Sequence, residues 1–316
     1  MAFDEAYESL TDHEDDSRWA YGTGFTDPLA GVSTAVPAGV DIDDLVAYCL
    51  MLGDDALIMS HRLQQWMTHA PELEDELAIA NLALDLLGQA RLLLSRAAEV
   101  EGAGRDEDAL AYLREPADFR NVHLAERADA DFAQLVARLL VFATWRLALL
   151  DRLSATRDPV LAAIGAKGVK ELTYHREYAA QWVVRLGDGT ALSHERMQAA
   201  TDAVRPLVPE LFEPHPVEVR LAAAGVAVDP AALRAEFEAI WSQVLTAATL
   251  RPAPDSDASR AGADGSGVTS RAGLSAPGGD VSRAGVGGRY GDHTAALPEI
   301  LAELQALARS MPGGVW

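Results

Sequence analysis

Four side chains stand where a helical protein could hold a metal pair: Asp54 (or its neighbour Asp55), Asp85, Glu171 and His175. Glu171 and His175 are four residues apart, so on a helix they share a face and could ligate one ion. An oxygen-activating di-iron centre in a helical bundle asks for more: a Glu on each of two helices and a Glu-x-x-His pair on each of two others. None of the eight histidines has an acid three residues before it; those positions hold Leu10, Ile58, Trp66, Arg120, Leu172, Ala191, Phe212 and Tyr290. The two motif slots read Asp85-x-x-Gly88 and Glu171-x-x-Tyr174, and the third long helix has no acid between Asp131 and Asp151. Two ligands of about six do not hold two irons. The expectation is therefore no catalytic, cofactor-binding or metal residue. Asp54, Asp85, Glu171 and His175 are read as a vestigial polar layer, bonded to Arg91, Arg146, Asn81 and Tyr174 because buried polar groups need partners.

Other chemistry is sparse. The chain carries no Gly-x-Gly-x-x-Gly, Walker loop, Gly-x-Ser-x-Gly or His-Glu-x-x-His sequence. Lys167, Lys170, Arg176 and Arg185 give the fourth helix a positive character, which i,i+4 pairing with Glu171 and Glu177 explains. Two further readings stay open on these residues: a stand-alone metal oxidase built on the four polar positions, and a coenzyme A thioester binding module using Lys167, Lys170 or Arg176.

The elements that position these groups are helices. Asp41 caps a stripe with three-four apolar spacing, Ile42, Leu45, Val46, Cys49 and Leu50, that runs to His69. A second helix opens at Pro71 with Glu72, Glu74, Asp75 and Glu76 in its first turn and stops at Gly102. Its leucines crowd more than one face, which points to neighbours on two sides. A short polar helix and loop lead to a third long helix, 129–156, and Asp158-Pro159 opens a fourth ending at Gly187. Later helices are expected over 193–212, 229–250 and 294–310. The fold class is all-α: a ferritin-like long-helix bundle with extra C-terminal helices. Residues 1–40 read as an acidic, disordered extension, 41–250 as the bundle, 251–291 as a disordered Gly/Ala/Ser/Arg-rich insert, and 292–316 as a C-terminal helix packing on the bundle.

A net charge of -22 argues against nucleic acid and anionic membranes as partners. Lone Cys49 excludes a disulfide framework. With no signal-like N-terminus and no apolar run of ~18 residues, a cytoplasmic location is expected.

Particular segments carry a resemblance. Leu52 to Trp66 (LGDDALIMSHRLQQW), His69 to Arg91 (HAPELEDELAIANLALDLLGQAR), Lys170 to His175 (KELTYH), Arg157-Asp-Pro159, Arg185 to Thr190, Gly225 to Pro230 and the closing Pro-Gly-x-x-Trp resemble the structural, PaaC-type subunits of bacterial phenylacetyl-CoA 1,2-epoxidases. The resemblance implies a ferritin-like, non-catalytic subunit of a multicomponent monooxygenase of aerobic phenylacetate breakdown. It implies that a sister subunit holds the di-iron centre and substrate, that further oxygenase subunits join them, and that an iron–sulfur flavoprotein delivers electrons from NADPH. The 40-residue leader and the insert around 253–286 depart from the family pattern.

Overall fold

A computed structural model describes residues 29–251 and 287–311; every regular element among them is a helix. Capping carboxylates set several of the starts. Asp41 accepts from the Asp44 N–H at 3.1 Å and opens α1, Ile42–Met67. After a tight turn α2 runs Leu73–Glu101; Pro71 stands two residues outside it rather than in its first turn, and Gly102, left-handed at φ 64°, ends it. Short helices α3, Glu107–Tyr112, and α4, His123–Glu126, cross to α5, Phe132–Leu153, whose cap Asp131 bonds the Gln134 N–H. Asp158 accepts from both Val160 and Leu161 N–H groups and opens α6, Pro159–Gly187, with Pro159 at its first position. Then come α7, Ala191–Val204, α8, Pro216–Ala223, α9, Arg234–Ala247, and α10, Ala296–Ser310.

Four long helices form the frame. α1 lies along α2, α5 along α6, and α2 meets α6 between the pairs. α5 is the central rod, buried almost throughout from Leu135 to Leu150. Both α2 and α5 are long and apolar enough to cross a membrane, contrary to the expectation of no such run. In α5 the core accounts for this, since 94% of its most apolar window is buried. In α2 part of the apolar surface faces outward: Leu73, Leu77 and Leu84 are 64%, 59% and 50% exposed. At ~100° per residue these three fall within about 40° of one another, a single stripe along the helix.

Three expectations need correction. Residues 29–40, read as part of an unstructured leader, lie on the bundle: Leu29, Val32, Val36 and Val40 pack against the core, and Arg96 donates to the Thr34 carbonyl and to Asp158. Residues 287–291, assigned to the insert, form a turn with Gly288 and Arg289 buried. The two-turn helix α8 was not anticipated. Its cap is His215, which bonds the Val217 N–H while Glu218 bonds back to the His215 N–H, a reciprocal box built on an uncommon capping residue. The expected disorder of 1–28 and 252–286 lies outside the described residues.

Candidate functional site

On α1, the neighbours Asp54 and Asp55 are fully buried yet turned about 100° apart, so each meets a different partner. Asp54 receives both terminal nitrogens of Arg114 and, at 2.9 Å, the Arg120 N–H. Asp55 receives Arg289 Nη1 and Nη2 at 3.1 and 2.8 Å and the Val122 N–H at 2.9 Å. Arg289 also donates to the carbonyls of Met51 and Arg120. Two adjacent aspartates are thus neutralised by guanidinium groups brought from distant segments.

The seam between α2 and α6 carries the remaining candidates. His175 Nε2 donates to Asp85 at 3.1 Å; one turn on, Gln89 Nε2 donates to Glu171 at 2.9 Å. Lys167 reaches the other Glu171 oxygen, as i,i+4 spacing predicts. Towards the outer end of the seam, Asp75 accepts from Tyr178 and from the Trp182 indole. From α5, Arg146 donates to Gln89 Oε1 at 2.9 Å and to the Leu52 carbonyl at 3.2 Å. Arg146 is fully buried, and burial pulls its guanidinium down to about 10, still well above neutral pH. It remains a fixed cation in the layer.

Of the expected network, Asp85, Glu171, His175 and Arg146 share this layer: Gln89 joins Arg146 to Glu171, and His175 pairs with Asp85 one turn away. Asp54 does not belong to it. Asn81 is exposed, Tyr174 is 51% exposed, and Arg91 makes a surface pair with Glu107. Helical geometry explains the sorting: steps of four residues advance about 40°, carrying position 81 outside, 85 to the boundary and 89 inside. Sequence reasoning missed Arg114 and Arg289 and underrated Gln89; arginines so far along the chain leave no periodic signal.

Most of the layer is paired, although Arg146 Nη1 and His175 Nδ1 are buried without a hydrogen-bond partner. Asp85 is paired with His175 and Glu171 with Lys167, Asp54 and Asp55 are committed to Arg114 and Arg289, and buried Arg146 is held by Gln89 and the Leu52 carbonyl. Among the described residues no three His, Cys, Asp or Glu side chains converge as a metal requires. A di-iron cluster needs about four carboxylates and two histidines together, whereas this seam offers Asp85, Glu171 and His175 with Arg146 and Gln89 beside them, so the residues present do not fit one. Nor is Lys167 free for a phosphate, since Glu171 holds it.

The described residues form a bundle of long helices with a hydrogen-bonded polar layer between α2, α5 and α6. The chain belongs to the phenylacetic acid catabolic protein family, whose model matches residues 33–316. It is 42% identical over 275 residues to the C subunit of the 1,2-phenylacetyl-CoA epoxidase of Escherichia coli (strain K12), covering 87% of this chain and 100% of the relative.

Proposed function

We propose that this chain is a structural subunit of a phenylacetyl-CoA 1,2-epoxidase, acting in aerobic phenylacetate degradation as the partner of a catalytic di-iron subunit. The observation that carries the reading is the 42% identity along the whole length of the Escherichia coli relative. Two features of the molecule support a non-catalytic role. Buried Arg146 stands in the same layer as Asp85, Glu171 and His175, and a buried guanidinium repels a dication that enters its layer. On the outside, the Leu73, Leu77 and Leu84 stripe offers an apolar face that a lone bundle has no use for.

In this reading the subunit holds the partner's four-helix site rigid and helps shape its substrate channel. The chain itself binds no cofactor. Iron belongs to the catalytic partner; NADPH, flavin and the iron–sulfur cluster belong to the reductase; further oxygenase subunits complete a cytoplasmic complex. Co-expression with the catalytic partner tests this. The wild-type pair should co-purify, whereas the Leu77→Arg, Leu84→Arg double variant should keep its helical circular dichroism and lose the partner. Retention of the partner by the double variant would refute the role given to the stripe, and failure of the wild-type chain to associate would refute the function.

A further inference from the structure

Residues 287–310 are fastened to the bundle by a buried socket. Glu126, at the end of α4, is fully buried, and its two oxygens accept four hydrogen bonds. Oε1 receives Asn121 Nδ2 at 3.0 Å and His293 Nδ1 at 2.5 Å; Oε2 receives the Thr294 N–H at 2.9 Å and its hydroxyl at 2.6 Å. The other His293 nitrogen, Nε2, lies 2.9 Å from the Phe119 carbonyl. An ionised carboxylate and a backbone carbonyl only accept, so both ring nitrogens must carry hydrogen. The socket is therefore complete only when His293 is an imidazolium.

We propose that His293 and Glu126 form a pH-sensitive latch, which holds residues 287–310 on the bundle while His293 is doubly protonated and loosens as that proton leaves. Deprotonation would set a lone pair against an acceptor, either the Glu126 carboxylate or the Phe119 carbonyl, in a site with almost no solvent to relieve it.

The charges around the latch agree. Burial alone would depress His293, but its bonds to Glu126 and Phe119 outweigh that and raise it above its ordinary value. Glu126 is pushed up by burial and brought lower overall by the bonds from His293 and Thr294. From α1, Asp54 favours the imidazolium although Arg114 is bound to it. Arg120 donates to the same Phe119 carbonyl, and Arg62 donates to the Glu126 backbone carbonyl. His123 meets the His293 ring edge-on at 6.5 Å, with its Nδ1 3.7 Å from Glu210 and its Nε2 on the Asp292 carbonyl. Arg289, in the same segment, is committed to Asp55. His215, whose ring lies 4.5 Å from that of Tyr290, is depressed by burial and stays neutral above its ordinary value.

The signs follow. With its folded value raised, His293 contributes stability that is full below the ordinary imidazole value and is lost as pH climbs through the raised one. With its folded value lowered, Glu126 contributes above the ordinary carboxylate value and fails as pH falls through the lowered one. Docking is tightest between the ordinary carboxylate and ordinary imidazole values, and loosens as pH climbs from the latter through the raised value of His293.

Nitrogen NMR of the full chain labelled at histidine reads the protonation state directly. At about pH 6 both His293 ring nitrogens should show protonated shifts, with a titration midpoint above the ordinary histidine value of about 6.5. Hydrogen exchange over Leu297–Leu301, corrected for intrinsic rates, should lose protection by roughly tenfold or more between about pH 6 and about pH 9, the scale of one charge-assisted hydrogen bond. In His293→Gln that protection should start lower and stay flat with pH, while His123→Gln should keep the wild-type profile. A His293 titration midpoint at or below the ordinary value of about 6.5, or a pH profile unchanged in His293→Gln, would overturn the latch.

Discussion

Arg289→Ala should be among the most damaging single substitutions in the chain, and more damaging than one that removes the charge of Asp55 as well. The variant strands a fully buried carboxylate and takes donors from the Met51 and Arg120 carbonyls. Breaking a buried pair by deleting one partner costs about 3–5 kcal/mol, because the survivor keeps its desolvation penalty without its counter-ion. For a domain of this size that corresponds to a fall in Tm of roughly 6–20 °C. In Asp55→Asn the amide oxygen can still accept from the Val122 N–H, so the double variant Asp55→Asn, Arg289→Ala loses the ion pair and leaves no orphaned charge. Urea denaturation followed by circular dichroism on all four members of the cycle gives the coupling, expected at about 2–3 kcal/mol. The reasoning is refuted if Arg289→Ala costs less than about 1 kcal/mol. It is equally refuted if the two single-site penalties sum to that of the double variant within about 0.5 kcal/mol.

The turn that delivers Arg289 tolerates no side chain. A Cβ at Gly288 would lie 1.8 Å from the Asn121 carbonyl oxygen, and one at Gly291, where φ is +78°, 2.5 Å from that of Ala117. Gly288→Ala should therefore destabilise by about 2 kcal/mol or more and raise proteolytic sensitivity near residue 289; a wild-type melting curve would contradict the placement. Cys49 is fully buried on α1, and burial pushes its thiol up to about 12. Its labelling by a disulfide reagent near pH 8 should be negligible in the folded chain and should track unfolding in urea; rapid labelling of native protein would show the core to be more open than described. Calorimetric titration of the chain with coenzyme A should give no binding heat that Lys167→Ala abolishes, because Glu171 already holds that ammonium.

Much of the frame was legible because it depends on local rules. Asp41, Asp131 and Asp158 announce helix starts through the side-chain acceptors they offer, and three-four spacing marks the long helices to within a few residues. What stayed hidden depends on distant partners. Asp54 and Asp55 look like candidate ligands until Arg114 and Arg289 arrive from 60 and 234 residues away. Averaged over the residues around it, the Gly-Gly-Arg-Tyr-Gly run at 287–291 looks like more of a Gly- and Ser-rich segment. Its meaning lies in one buried bidentate pair and two glycines that let the backbone approach closely. The polar layer itself was anticipated in four of its members. Gln89 reads in the sequence as a hydrogen-bonding or packing residue, and it bridges Arg146 to Glu171; which partners it takes depends on a helix 57 residues away.

Iron-edge anomalous diffraction from crystals of this chain with its catalytic partner would test the central claim most directly. The expected map shows iron in the partner and no anomalous peak between α2, α5 and α6 of this chain, where Arg146 bonds Gln89. Iron bridged by Asp85 and Glu171, lost on Asp85→Ala, would contradict the account.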